Sequence, residues 1–241
     1  MVRENMRMPP RQQLDLSIFD GKLLDGLRFC CRVYDLFDQV ASGPGGIAKL
    51  RLRPTKVEKR LQEELIPIAR YVQARYREGR RIKVRWFSGS QPYDAILWSP
   101  GTLVAHPEWP KKLFVEVTAS VHQNEHLARR LVQERGGSWG VQGISRDKKT
   151  GEVVSKPYVG DGFRLVPDLA DQILSRIKAK AIMSYPPATV LIVDCVPNTV
   201  ILDSEWNEAV KLVTEAGAHS GFREVYLLES RGSHSTTLYG N

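Results

Sequence analysis

The chain has 241 residues, 42% of them hydrophobic and 26% charged, with a formal net charge of +8. That length buries a substantial core in one large domain, or in one domain with an added subdomain, and the balance is that of an ordinary soluble globular protein. No apolar run nears the roughly 20 residues that cross a bilayer, and no apolar region or small-residue cleavage site follows the basic start, so no membrane partner and no export are expected and the location predicted is the cytoplasm.

Residues 1 to 13 read as a flexible arm. The stretch "DGKLLDGLRFCCRVYDLFDQVA" places Leu23, Leu27, Cys30, Cys31, Tyr34 and Phe37 at helical spacing, and "SGPGG" ends that helix. From Thr55 to about Arg77 the apolar positions Val57, Leu61, Leu65, Ile68, Val72 and Tyr76 make one continuous helical face, with Pro67 expected to kink the helix or restart it. "RIKVRWF", "YDAILW" and "KLFVEVTA" then read as three strands, the last two joined by the long turn "SPGTLVAHPEWP". A helix in "QNEHLARRLVQER" is punctuated by Gly136 and Gly137. A hairpin turning at "DKKTG" comes next, then a helix in "VPDLADQILSRIKAKAIMSY" and a buried strand in "TVLIVDCV". A helix opened by a Ser cap in "SEWNEAVKLVTEAG" and a last strand in "EVYLLES" complete the order, and the polar tail is expected to be mobile. The fold class predicted is α/β, layered around a mixed sheet, with the amino-terminal helix as an addition. Cys30, Cys31 and Cys195 form neither a metal-ligand pair nor an even disulfide set, so reduced, buried thiols are expected.

The basicity has a location. Between Lys49 and Arg85 stand 13 Lys or Arg against four Glu, a local net of +9, whereas residues 194 to 230 hold seven acids against two bases. Such asymmetry fits a surface that meets phosphates. Arg81, Lys83 and Arg85 alternate with Ile82, Val84 and Trp86, which would make one face of that strand basic. No G-x-x-x-x-G-K-[ST], G-x-G-x-x-G or G-x-S-x-G occurs, so ATP use, dinucleotide chemistry and an esterase triad find no support.

Two carboxylates stand in apolar strands, Asp94 in "YDAILW" and Glu116 in "LFVEVTA". A charge there is expensive unless something pairs with it. Alternation puts Asp94 on the face of Ile96, away from Tyr93, Ala95 and Leu97, and puts Glu116 on the face of Thr118. If the two strands are neighbours the acids sit side by side, and a hard divalent ion such as Mg2+ would reconcile them.

These residues, with the surrounding order of helix, three strands, helix and strand, resemble the PD-(D/E)xK nuclease superfamily over residues 55 to 135 and on to the strand near Val193, with a hairpin and a helix inserted. The resemblance implies a restriction-endonuclease-like core spanning residues 54 to 230, with residues 1 to 53 accessory and 231 to 241 a tail. It implies phosphodiester hydrolysis of nucleic acid, DNA in the first instance, with Mg2+ or Mn2+ on Asp94 and Glu116, and a possible homodimer, since such enzymes often pair to cut two strands. The superfamily's lysine position is occupied by Thr118, which cannot supply a positive charge. Lys180 is the substitute expected, because it continues the stripe of Leu169, Ile173 and Ile177, whereas Lys178 is turned away. Glu64, bordering the apolar face of its helix, is expected in the pocket in preference to Glu63. Arg129 and Arg130 are candidate phosphate contacts, as guanidinium geometry permits.

Two other readings stand beside this one. With Thr118 in place of lysine, the chain can keep the sheet and bind nucleic acid or a protein partner without cutting. "HQNEH" also matches H-x-x-E-H, a zinc-peptidase pattern in which His122 and His126 would bind the metal, Glu125 would act on water, and Asp171 or Glu205 would have to complete the site.

Overall fold

A computed structural model describes residues 15–76, 80–100, 110–157, 164–197, 200–217 and 221–239. The expected arm at residues 1 to 13 and most of the long turn before Lys112 lie outside the described residues.

The first helix is shorter than its periodicity implies. Leu23–Asp25 form a strand, β1, and helix α1 runs over Gly26–Ser42 with Asp25 Oδ1 accepting the Leu27 N–H at 3.0 Å as its cap. Gly26 decides the switch: its N–H donates to Ile82 O at 2.7 Å, and a Cβ there would lie 2.8 Å from that oxygen. Only glycine permits so close an approach. Leu23, moved into the strand, is 52% exposed, and Leu27, helical but outside the buried stripe of α1, is 49% exposed, although their spacing implies the packed face for both. Cys30 is buried, donates to Ala69 O, and is pushed up to about 12 by burial, while Cys195 is buried as well. Cys31 is exposed, which corrects the expectation for that thiol, because it falls outside the stripe of Phe29, Val33, Leu36 and Val40.

A short helix α2 (Gly46–Leu52) leads to Thr55, which opens α3 (Lys56–Arg60) with a capping box to Glu58. One wide turn, Leu61–Leu65, joins α3 to α4 (Ile66–Arg75), and in it the Ile66 N–H reaches Leu61 O. Pro67 has no N–H to give, and the wide turn absorbs the loss without breaking the helix axis. Leu61, Leu65, Ile68 and Val72 are fully buried, as their spacing implies.

Strands β2 (Lys83–Trp86), β3 (Ala95–Trp98) and β4 (Lys112–Ser120) follow, then helix α5 (Glu125–Arg135), closed by Gly136 at φ 77°. The expected hairpin is β5 (Ile144–Arg146) with β6 (Val153–Ser155), forming a separate two-stranded sheet. Helix α6 (Leu165–Ala181), strand β7 (Thr189–Cys195), helix α7 (Asp203–Glu215) and strand β8 (Glu224–Glu229) complete the order. Helix α7 starts two residues earlier than a Ser204 cap would allow; Glu205 accepts the Leu202 N–H at 2.8 Å instead. The tail is a strand rather than a loose end: Ser235–Tyr239, β9, pairs antiparallel with β8. Its alternation "STTLY" buries Leu238 among α7-side residues.

The fold is α/β with a mixed seven-stranded sheet in the order β1-β2-β3-β4-β7-β8-β9. Pairings are antiparallel from β1 to β4, parallel across β4, β7 and β8, and antiparallel again at β9. On one face α1 and α4 pack Phe29, Val33, Ile68 and Val72 against Val84, Trp86, Val115 and Ile192. On the other, α6 and α7 pack Ile173, Ile177, Trp206 and Ala209 against Leu191, Val193, Val225 and Leu227. The amino-terminal helix thus shares a core with the rest of the chain, and β1 joins the same sheet. Among the described residues no helix is long and apolar enough to cross a membrane.

Candidate active site

The alternation of β4 sends Val115 and Val117 into the α1–α4 core and Glu116, with Thr118, toward α6. Ala95 pairs with Val115, so the antiparallel register extended by one residue sets Asp94 opposite Glu116. The sheet therefore brings the two acids together. Asp94 lies just before β3; its N–H donates to Val115 O and its Oδ2 accepts the Val117 N–H, both at 2.8 Å, so it straddles the β4 backbone. Tyr93, expected on the opposite face, packs its ring against Phe114 on the Glu116 side, because it precedes the strand and the pleat does not yet govern it.

Helix α6 crosses this face, and its inward stripe ends in Lys180. The Lys180 Nζ donates to Glu116 Oε1 at 2.5 Å. Lys180 is thus on the carboxylate, and Lys178 is exposed. Thr118 is half-buried on the same row. Glu64 comes from the wide turn after α3: its Oε2 accepts the Trp86 Nε1–H at 3.1 Å and its Oε1 takes the Arg60 guanidinium. Burial raises the Glu64 carboxyl above the usual range, and Arg60 opposes this. Glu63, as expected, turns elsewhere and pairs with Arg53 at 3.0 Å.

Burial pushes Asp94 up to about 7, and the charges of Glu64 and Glu116 add to the rise while the Val117 N–H and Lys180 oppose it. Asp94 thus feels the charges of both other acids and of Lys180, while Glu64 is itself paired with Arg60. Tyr185 lies near Asp94 and Glu116 without any sequence signal for it: its hydroxyl, which donates to Met183 Sδ at 3.4 Å, is raised first by burial and then by the Glu116 and Asp94 charges. It sits five residues past Lys180 in a non-helical turn, where no periodicity flags it.

Among the described residues, no group of three or more His, Cys, Asp or Glu is placed to hold a metal ion. The donor set nevertheless fits a hard divalent cation, which uses one or two carboxylates and keeps several waters. The Glu64 and Glu116 charges, which add to the burial-driven rise of Asp94, are the repulsion such an ion relieves.

Other predicted residues stand apart from this cluster. Arg129 lies 3.8 Å from Glu125, its guanidinium lowered first by burial and then by the Arg53 charge; Arg130 is paired with Glu134 at 2.6 Å. Arg81, Lys83 and Arg85 are exposed. His122 precedes α5 and its Nδ1 accepts the Asn124 N–H, so it shares no helix face with His126. Asp171 is exposed on α6 and Glu205 is spent on the α7 cap.

Comparison of the chain with protein-family models, curated proteins and solved structures finds no match.

One titratable group lies on the other face of the sheet. Burial pushes Asp194, near the end of β7, up to about 6, with Arg70 and Arg53 opposing and Glu229 and Glu63 adding. Between the ordinary value of 3.8 and about 6 the folded chain holds this proton and the unfolded chain does not, so the stability it lends is complete below the lower value and lost as pH rises through the upper one. Asp194→Asn should remove that loss and raise stability at pH 8 by about 1–3 kcal/mol, with little change at pH 4; urea denaturation at the two pH values measures it.

Proposed function

We propose that the chain is a metal-dependent phosphodiesterase acting on nucleic acid, built on a restriction-endonuclease-like core in which α3–α4, β2, β3, β4, α5 and β7 are the helix, three strands, helix and strand, and the β5–β6 hairpin with α6 is inserted. The observation that carries the reading is the convergence of Asp94, Glu116 and Lys180 from three separate elements, with the ammonium 2.5 Å from the Glu116 carboxylate. A surface ion pair would need no second acid beside it.

Asp94 and Glu116 would hold Mg2+ or Mn2+, which supplies the positive charge that polarises a phosphodiester oxygen and acidifies water. The chain's own groups do the rest. Lys180 orients Glu116 and places a fixed positive charge where negative charge builds up on the phosphate. Tyr185 lies close enough for the charge of the Glu116 carboxylate to act on its hydroxyl. Glu64, itself anchored by Trp86 and Arg60, keeps the pocket acidic and favours a cation over a second anion. The exposed bases of the Lys49 to Arg85 region grip the backbone, so binding should weaken steeply with salt.

A second reading is favoured by the same ion pair: Lys180 already neutralises Glu116, so the fold can bind nucleic acid without cutting. One experiment separates the two. Mixed single- and double-stranded DNA and RNA are incubated with the protein in Mg2+, in Mn2+ and in chelator. Cleavage that needs either ion and stops in chelator supports the phosphodiesterase. Undiminished cleavage in chelator overturns it, and binding without cleavage in any condition establishes the second reading.

A further inference from the structure

The sheet face that carries Glu116 continues, away from α6, into a series of aromatic and basic side chains. The register lines up Leu23, Arg85, Ile96 and Phe114 across β1 to β4, and in the next row Asp25, Lys83, Trp98 and Lys112. The row on the other side of Ile96 and Phe114 is that of Asp94 and Glu116. Where these rows meet, Phe114 touches Tyr93 with ring centroids 4.9 Å apart, and Tyr93 touches Phe87 edge-on at 5.9 Å. Each end of the series is capped by a cation: Lys112 Nζ stands 4.5 Å from the Phe114 centroid, and the Arg85 guanidinium 5.3 Å from that of Phe87. All three rings are half-buried, and Lys83, Arg85 and Lys112 are exposed. Helices α1 and α4 cover the opposite face, and α6 crosses over β4 and β7.

We propose that this face is a stacking platform for single-stranded nucleic acid, with bases on Phe114, Tyr93 and Phe87 and phosphates against Arg85, Lys83 and Lys112, leading the strand to the Asp94–Glu116 pair. It deepens the phosphodiesterase reading by naming its substrate class, and it rests on that reading only for the cleavage step, not for binding. Rings that served the core alone would be covered; these keep part of their surface at the boundary with solvent. Every base has a π face, so a row of aromatic rings binds single strands without regard to sequence, whereas the bases of a duplex are stacked on one another and unavailable. Charge complementarity points the same way: the two rows hold three cations against Asp25, which is engaged in capping α1. Phe114 and Glu116 are two residues apart on one strand, about 7 Å, so a base on the ring sets its own backbone beside the carboxylates.

The test is fluorescence anisotropy of a labelled mixed-sequence DNA oligonucleotide, alone or annealed to its complement, with the full chain in chelator so that nothing is cut. The single strand should bind at least about tenfold more tightly than the duplex, and Phe114→Leu and Tyr93→Leu should each weaken it about 5- to 100-fold. Leucine keeps the apolar volume and removes the π face, and an unchanged melting temperature confirms that each variant is folded. Lys112→Ala should lower the salt dependence of binding by about one phosphate contact. Duplex binding equal to or tighter than single-strand binding, leucine variants that bind like the parent, or no binding of either nucleic acid overturns the proposal. Asp94→Ala keeps the two claims apart: it should lose cleavage in Mg2+ yet bind the single strand as the parent does. If it cuts normally the phosphodiesterase reading falls while the binding result stands.

Discussion

Asp94→Ala and Glu116→Ala should each abolish phosphodiester cleavage, lowering the rate by about 10³-fold or more, while salt-sensitive binding of nucleic acid stays largely intact. The size follows from the several kcal/mol that a bound divalent cation supplies to the developing charge, since each 1.4 kcal/mol is about tenfold in rate. The two variants fail for partly different structural reasons, and their conservative counterparts show which matters. Asp94 Oδ2 accepts the Val117 N–H, so alanine also leaves a strand amide without its partner, whereas Asp94→Asn can keep that bond through its amide oxygen and removes only the charge. Glu116→Gln likewise retains an acceptor for Lys180. If the asparagine and glutamine variants are as inactive as the alanine ones, charge rather than strand geometry is at fault. Lys180→Met should reduce cleavage by about 10²- to 10³-fold, the range seen when one preorganised electrostatic donor is removed. Normal cleavage by Asp94→Ala or Glu116→Ala, measured at saturating substrate, removes the assignment.

The convergence behind that prediction was legible in the sequence because strand alternation and helical spacing are both strict. Glu116 stands in an apolar strand where the period of two fixes its face, Asp94 sits one residue ahead of β3 and is set opposite Glu116 by the antiparallel register, and Lys180 lies three residues past Ile177 on a stripe that faces the sheet. The turn at residues 182 to 185 has no period, so Tyr185 could not be placed against Glu116 from its neighbours. Nor could the amino-terminal strand. Leu23 fits a helix by spacing alone, and what overrides that fit is the contact of Gly26 with Ile82, a pair 56 positions apart. The tail shows the same limit: "STTLY" is too short and polar to announce a strand until the exposed edge of β8 offers it a ladder. The aromatic rings of Phe87, Tyr93 and Phe114 come from three strand ends, and only the register of β2, β3 and β4 makes them a series.

Arg75→Met should destabilise the fold by about 3–5 kcal/mol, the cost of stranding a buried carboxylate. Arg75 is the last residue of α4, and its Nη2 donates to Glu224 Oε1 at 2.9 Å and to Thr237 Oγ1 at 2.7 Å, so one guanidinium ties the helix to β8 and β9. Glu224 is 7% exposed and its Oε1 also accepts the Tyr71 hydroxyl at 2.6 Å. The guanidinium lies 5.3 and 5.7 Å from the rings of Tyr71 and Tyr226, which meet edge-to-face. Methionine fills much of the volume and keeps contact with the rings, so the loss isolates the charge rather than the packing. For a chain of this size the change corresponds to a fall in melting temperature of about 6–20 °C. The double variant Arg75→Met with Glu224→Leu should recover most of the stability, because an apolar pair of similar shape needs no desolvation of either ion. That recovery distinguishes a stranded charge from a broken strand: if the double variant is less stable than Arg75→Met alone, the contribution of Arg75 lies in holding Thr237 and the β9 edge, and hydrogen exchange would then show β9 amides opening ahead of those in β8.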